Sequence, residues 1–151
     1  MKKLVVLILF FTMHAQADVL EVGLGQTFGR YLSGDTSNAL NLSYLDRDKK
    51  YPIEYGLGFV GGSDGVSGSL GKDQMYVSIG VRKYWDKAFF GFGVALVSET
   101  NARLSTPLNF KSQLGYSFRS FVVKVEHISN GDVSGVNDGE NIFTLAYAKA
   151  L

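Results

Sequence analysis

The stretch Met75–Arg82 has the sequence Met-Tyr-Val-Ser-Ile-Gly-Val-Arg, and it decides the fold class. Large apolar residues occupy every second position, and tyrosine, serine, glycine and arginine occupy the positions between them. Successive side chains of a β-strand point to opposite faces, so this alternation predicts a strand with one apolar face. No window after residue 18 shows the i, i+3, i+4, i+7 apolar spacing of an amphipathic helix. The sequence therefore predicts an all-β protein.

The same period of two recurs along the rest of the chain, with Ser112 as an interruption of one apolar face. Repeated alternation in strands of about 10 residues is the signature of a transmembrane β-barrel, and eight segments of this chain alternate over 5 to 9 residues each. Lipid offers no partners to backbone groups, so such a sheet must close on itself. We therefore predict an eight-stranded antiparallel transmembrane β-barrel. Besides Met75–Arg82, the segments are Leu20–Gly25, Leu40–Tyr44, Ile53–Phe59, Phe90–Leu96, Leu108–Tyr116, Phe121–Glu126 and Phe143–Ala148.

Charged residues recur on the face opposite the apolar one. The interior of an eight-stranded barrel is just wide enough for side chains to fill. We therefore expect these residues to form a structural network inside the barrel and not to line a channel. They are Glu21, Glu54, Arg82, Lys111, Lys124 and Glu126.

The first 17 residues have the three parts of a secretory signal peptide. Lys2 and Lys3 form the positive region, Leu4–Phe11 is the apolar run, and Ala15-Gln16-Ala17 supplies small residues for cleavage. The apolar run is far shorter than the roughly 20 residues of a membrane-spanning helix. We expect residues 1–17 to be the signal peptide and residues 18–151 to be the outer-membrane barrel.

Composition excludes several classes of function. Residues 18–151 keep 13 of the 15 basic residues and all 14 acidic ones, so they carry a net charge of −1 and no basic surplus for nucleic acid. Cysteine is absent, which excludes disulfides and thiolate metal sites. His14 lies in the predicted signal peptide, so His127 is the one histidine that remains for chemistry. We expect neither a metal nor an organic cofactor.

The connections between the predicted strands alternate in length. Short ones occur at Asp46–Lys50, Trp85–Lys87 and Ser117–Ser120, whereas the first, around Ser33–Ser37, is intermediate. Short turns face the periplasm in bacterial barrels and longer loops face outside. The seventh strand should then run outward and end near the outer surface of the bacterial outer membrane. The longer connections are Gly61–Asp73, Ser98–Thr106 and Asn130–Gly139.

His127 and Ser129 lie at the end of that seventh strand. Residues two apart on a strand share a face and are separated by about 7 Å of backbone rise. Their side chains can converge across this distance, so a histidine nitrogen can accept the serine proton. A serine nucleophile needs such a base, and the base needs a third group that orients it. Donors for the developing oxyanion are available from Asn130, Asn137 and the amide of Gly131. This pattern is suited to nucleophilic acyl transfer on the lipid-facing side.

Three motifs carry a resemblance to a known family. They are His127-Ile128-Ser129-Asn130, then Asn137-Asp138-Gly139 before an aromatic-rich last strand, and Leu108-Asn109-Phe110 before the seventh strand. With them the chain resembles the lipid A 3-O-deacylase (PagL) family. The resemblance implies hydrolysis of the 3-O-linked hydroxyacyl chain of lipid A by a Ser-His-Glu triad at the outer surface of the barrel. It assigns Ser129 as nucleophile, His127 as base and Asn137 to the oxyanion hole or to positioning.

The acid of the triad departs from the family pattern. The family's acid matches Asn141, whereas Glu140 lies one residue earlier and has the parity of the inner face. We predict Glu140 as the acid, turned outward by a bulge near Gly139. Asn141 as a neutral partner of the histidine is the first alternative, and a degraded, inactive site is another. Asp138 ranks third among the candidate residues, behind Glu140 and Asn141, because Asn-Asp-Gly is first of all a turn sequence.

These observations predict a carboxylic ester hydrolase that acts on lipid A within lipopolysaccharide, surrounded by outer-membrane lipid. A non-catalytic small barrel with a structural or adhesion role is one alternative. A lipid acyltransferase is another, since the acyl-enzyme step would be shared. The sequence leaves acyl-chain length, regulation and the formation of a homodimer open.

Overall fold

A computed structural model describes residues 18–28, 36–62, 72–101, 103–133 and 139–151. These residues form eight antiparallel strands, each paired with its neighbours in the chain, and the last strand pairs with the first. The predicted eight-stranded antiparallel barrel is thus confirmed. The predicted signal peptide lies outside the described residues. The strands are β1 (Val19–Phe28), β2 (Asn38–Asp46), β3 (Ile53–Val60), β4 (Gln74–Trp85), β5 (Ala88–Val97), β6 (Leu108–Phe118), β7 (Phe121–Ser129) and β8 (Glu140–Ala150).

The strand register places like residues side by side around the barrel. Leu24 of β1, for example, pairs with Leu40 of β2 on one side and with Leu145 of β8 on the other. All three side chains point outward, and Leu24 is 70% exposed. A continuous apolar belt of this kind is unfavourable in water and typical of barrels that cross a membrane.

Paired charges fill the middle of the barrel interior. The Arg82 guanidinium donates to both carboxylate oxygens of Glu21, at 2.7 and 2.8 Å, and to Glu54 at 2.6 Å. Lys111 Nζ lies 2.8 Å from Glu126 and 3.2 Å from Glu54. With Lys124, which donates to Asn41 at 2.9 Å, the network has three acids and three bases. Buried charges need such partners, so the network has the structural arrangement that the sequence predicts.

Apolar layers lie on either side of the charged network. Toward the end where β7 finishes, a cluster forms around Val60, Tyr76 and Ile128, and Leu104 enters it from the β5–β6 connection. Toward the opposite end, Phe89, Val122 and Ala146 form a second cluster. Leu104 is 2% exposed, so this connection folds into the mouth of the barrel.

The two ends of the barrel differ in their connections. At one end β4 and β5, like β6 and β7, are joined by two residues, and Asp86 and Arg119 take positive φ values of 57° and 53° there. Positive φ is what two-residue hairpins of matching twist require. The other end carries the four longer connections, and Ser129 lies there. No helix in the described ranges is long and apolar enough to cross a membrane.

Candidate active site

A row of polar side chains crosses the outer face of the barrel within the apolar belt. In the register, His127 of β7 pairs with Asn141 of β8 on one side and with Ser112 of β6 on the other. Ser129 lies two residues beyond His127 on the same face, next to Phe110. All four polar residues are half-buried. The sequence places them on one face because each lies at the outward parity of its strand.

His127 links Ser129 to Asn141 through its two ring nitrogens. Its Nε2 is 3.0 Å from Ser129 Oγ, and its Nδ1 is 2.9 Å from Asn141 Oδ1. An amide oxygen accepts but does not donate, so Nδ1 carries the proton in this arrangement. Nε2 then presents its lone pair to the serine hydroxyl. The three residues have the geometry of a nucleophile, a general base and an orienting group.

The position predicted for Glu140 is corrected by the structure. Glu140 pairs with Ile128 in the register and points into the barrel, where its side chain is buried. Its Oε1 lies 3.4 Å from Arg103 Nη1. The pairing of β7 with β8 continues without a bulge from Phe121 to Ile128. The Glu140 side chain is therefore not turned outward. Asn141, the alternative partner, occupies the position beside His127.

Gly139 packs directly against His127 and Ser129, a contact that strand periodicity does not predict. A Cβ atom there would lie 2.7 Å from His127 Cε1 and 3.0 Å from Ser129 Cβ. Its φ is +70°, a conformation that favours glycine. Only a residue without a side chain therefore fits between β8 and this pair. The Asn-Asp-Gly turn sequence was the available signal for it.

Arg103 anchors this glycine from inside the mouth of the barrel. The Gly139 amide donates to the Arg103 carbonyl at 3.0 Å, while the Arg103 side chain, which is 3% exposed, pairs with Glu140. The β5–β6 connection thus holds the start of β8 through a backbone hydrogen bond and an ion pair. Irregular connections have no periodicity, so this role could not be predicted from the sequence.

The structure describes two of the three residues predicted to stabilise an oxyanion, Asn130 and Gly131. The Asn130 side chain donates to Ser105 at 3.0 Å and accepts from the Asp132 amide at 2.9 Å. These bonds hold the Asn130 side chain within the connections at this end of the barrel, and its role at the oxyanion stays a prediction. Gly131 has a φ of +63°, and a Cβ atom there would lie 3.7 Å from the Phe110 ring. Asn137, like the candidate acid Asp138, lies outside the described residues.

A groove of about 240 Å³ opens on the outer face beside this site. Phe92, Phe110, Ser112, His127 and Ser129 line it. The rings of Phe92 and Phe110 stack at 6.0 Å and 20° and form its apolar wall. An apolar wall next to a polar pair suits a chain-like apolar ligand with a polar reacting end. Among the described residues, no group of three or more potential ligands is placed to hold a metal ion.

Comparison with known proteins points to one family. A family model described as lipid A 3-O-deacylase (PagL) matches residues 35–150. Among solved structures, the crystal structure of the outer membrane enzyme PagL is similar, with a TM-score of 0.67 and 22% identity. That likeness covers 88% of this chain and 99% of the other, and at this identity it shows a shared fold. No curated protein sequence matches the chain.

Proposed function

Because the chain belongs to the lipid A 3-O-deacylase (PagL) family, we propose that it hydrolyses the ester that joins the 3-O-acyl chain to lipid A. The barrel fold is consistent with the outer membrane, the location named for the similar crystal structure. The observation that carries the proposal is the bond of 3.0 Å between His127 Nε2 and Ser129 Oγ. The outer face of a barrel that crosses a membrane is otherwise apolar, so a polar pair on it favours a ligand that brings a polar reacting group.

The outward position of the pair fits a substrate that is itself a lipid. Ser129 lies at the long-loop end of the barrel, the end that faces outside in bacterial outer-membrane barrels. A lipid A molecule in the outer leaflet would meet this face without leaving the bilayer. Its acyl chain would lie against Phe92 and Phe110, and its sugar would stay at the water interface.

The reaction follows from the roles of the two residues. Ser129 Oγ attacks the ester carbonyl carbon while His127 Nε2 takes the hydroxyl proton. The tetrahedral intermediate collapses, and His127 returns that proton to the departing sugar oxygen, which leaves an acyl group on Ser129. Water then attacks the acyl-enzyme while His127 takes its proton, the bond between the acyl carbon and Ser129 Oγ breaks, and His127 returns the proton to Ser129 Oγ as the free fatty acid leaves. We assign the Gly131 amide and Asn137 as donors to the oxyanion.

Asn141 takes the orienting role that the family gives to a glutamate. A neutral amide fixes the ring and its tautomer, but it stabilises the imidazolium less than a carboxylate does. Asn141→Leu keeps the approximate volume and removes the acceptor, so we expect kcat to fall about 100-fold or more. Asn141→Asp should raise kcat above that of the native chain. Full activity in the Asn141→Leu barrel would contradict this role.

The proposed reaction is tested with the purified barrel in detergent and lipid A as substrate. We expect free 3-hydroxy fatty acid from the native chain and a loss of about 10³-fold or more in Ser129→Ala. Heat-modifiable migration on gels checks that both barrels are folded. Equal release from both would reject Ser129 as nucleophile. A new acylated lipid in place of free acid would indicate an acyltransferase, and no product would favour a non-catalytic barrel.

A further inference from the structure

Ser112 is a polar residue on the outer face that the proposed chemistry does not use. It lies on β6 between Phe110 and Leu114, and Leu114 is 64% exposed on the apolar belt. In the register it faces Phe92 on one side and His127 on the other. Its side chain therefore lines the groove, together with Phe92 and Phe110 of the apolar wall and with His127 and Ser129.

The Ser112 hydroxyl has no hydrogen-bond partner among the described residues. A half-buried hydroxyl without a partner loses about 1–3 kcal/mol of hydrogen-bonding free energy if it is removed from water. An apolar residue would fill this position on a lipid-facing strand at no such cost. The position therefore favours a ligand that itself brings a polar group into the groove.

We propose that Ser112 binds the 3-hydroxyl group of the acyl chain and makes the enzyme select hydroxyacyl esters. This inference rests on the proposed function, because it places the scissile carbonyl at Ser129. Ser112 and Ser129 are diagonal neighbours on adjacent strands, and such pairs are about 7–8 Å apart. The 3-hydroxyl oxygen is three covalent bonds from the carbonyl carbon. A chain directed from Ser129 toward Phe92 thus brings that hydroxyl to Ser112.

The surroundings of Ser112 make it the group suited to this contact. Phe92 and Phe110 offer no hydrogen bond, and His127 uses both ring nitrogens, toward Ser129 and Asn141. A serine hydroxyl both donates and accepts hydrogen bonds, so it can donate to the alcohol of the acyl chain or accept from it. One such bond in a half-open groove corresponds to a preference of about 10-fold for the hydroxylated chain.

The test uses two synthetic lipid A molecules that differ only in whether the 3-O-acyl chain carries its 3-hydroxyl. We expect the native barrel to show kcat/KM about 10-fold higher for the hydroxylated molecule. Ser112→Ala should bring this ratio to about 1, whereas Ser112→Thr, which keeps the hydroxyl, should retain the preference.

The outcomes separate this inference from the proposed function. Hydrolysis of both molecules by the native barrel without preference would overturn the selection by Ser112 and leave the deacylase function standing. A preference that persists in Ser112→Ala would also overturn it, as would an equal fall on both molecules, which indicates a structural role. Hydrolysis of neither molecule by the native barrel would overturn both.

Discussion

At the scale of single residues, Gly139 determines how closely β8 approaches the catalytic candidates. Its backbone lies against the His127 ring and the Ser129 Cβ in a left-handed conformation. Any side chain would have to displace the histidine ring or move the start of β8. The distance from His127 to Ser129 therefore depends on a residue that has no chemical role of its own.

Gly139→Ala should lower kcat about 100-fold, because a displacement of about 1 Å in a catalytic group has effects of this size. Gly61→Ala, also at the long-loop end of the barrel, is the control. It introduces the same methyl group, but its nearest neighbour would be the Asn38 carbonyl oxygen at 3.4 Å. We expect a clearly smaller loss there, measured as fatty acid release from lipid A. An equal loss in Gly61→Ala would contradict the role of the close contact between Gly139 and His127.

At the scale of elements, the β7–β8 register decides which residue orients His127. Period two allowed His127 and Ser129 to be placed on the outward face from the sequence alone. A shift of one residue exchanges the faces of a strand, so Glu140 and Asn141 could not be distinguished without the path of the connection between the strands. The observed register pairs Asn141 with His127 and directs Glu140 inward, to Arg103.

The β5–β6 connection should matter for activity although none of its described residues lines the groove. Removing one partner of a buried ion pair costs about 3–5 kcal/mol, so Arg103→Ala should loosen the start of β8 and lower activity at least 10-fold. Arg103→Leu combined with Glu140→Leu should recover part of the lost activity, because an apolar pair leaves no buried charge.

Lys72→Ala is the control for this prediction, because it removes an ion pair with Glu99 between exposed loops at the same end of the barrel. Exposed pairs contribute little, so we expect activity close to that of the native chain. The measurement is fatty acid release together with the temperature at which the barrel loses its folded gel mobility. An Arg103→Ala barrel as active as Lys72→Ala would contradict the anchoring role.

At the scale of the whole molecule, the alternation of apolar and polar residues was enough to predict the eight strands of the barrel and the face on which their side chains lie. Residues such as Val77 and Arg82 lie on the faces that their parity predicts, one toward lipid and one toward the interior. The pairing of individual charges could not be predicted, because it depends on the stagger of strands distant in sequence. Glu21 and Arg82, for example, are 61 residues apart and share two hydrogen bonds.

Arg82→Met should destabilise the barrel by about 3–5 kcal/mol, because Glu21 and Glu54 lose the cation that they share. Lys49→Met, in the exposed connection between β2 and β3, is the control and should leave stability nearly unchanged. Urea unfolding of the barrels in detergent micelles measures both. An unchanged midpoint for Arg82→Met would show that the network contributes less than its burial indicates.

The central claim is deacylation of lipid A by Ser129, activated by His127. The most direct measurement is mass spectrometry of lipid A from cells that express the native chain or the Ser129→Ala chain, with both barrels shown to be folded in the outer membrane. We predict loss of one 3-hydroxyacyl chain in cells with the native chain and intact lipid A in cells with Ser129→Ala. Identical lipid A from both would contradict the claim.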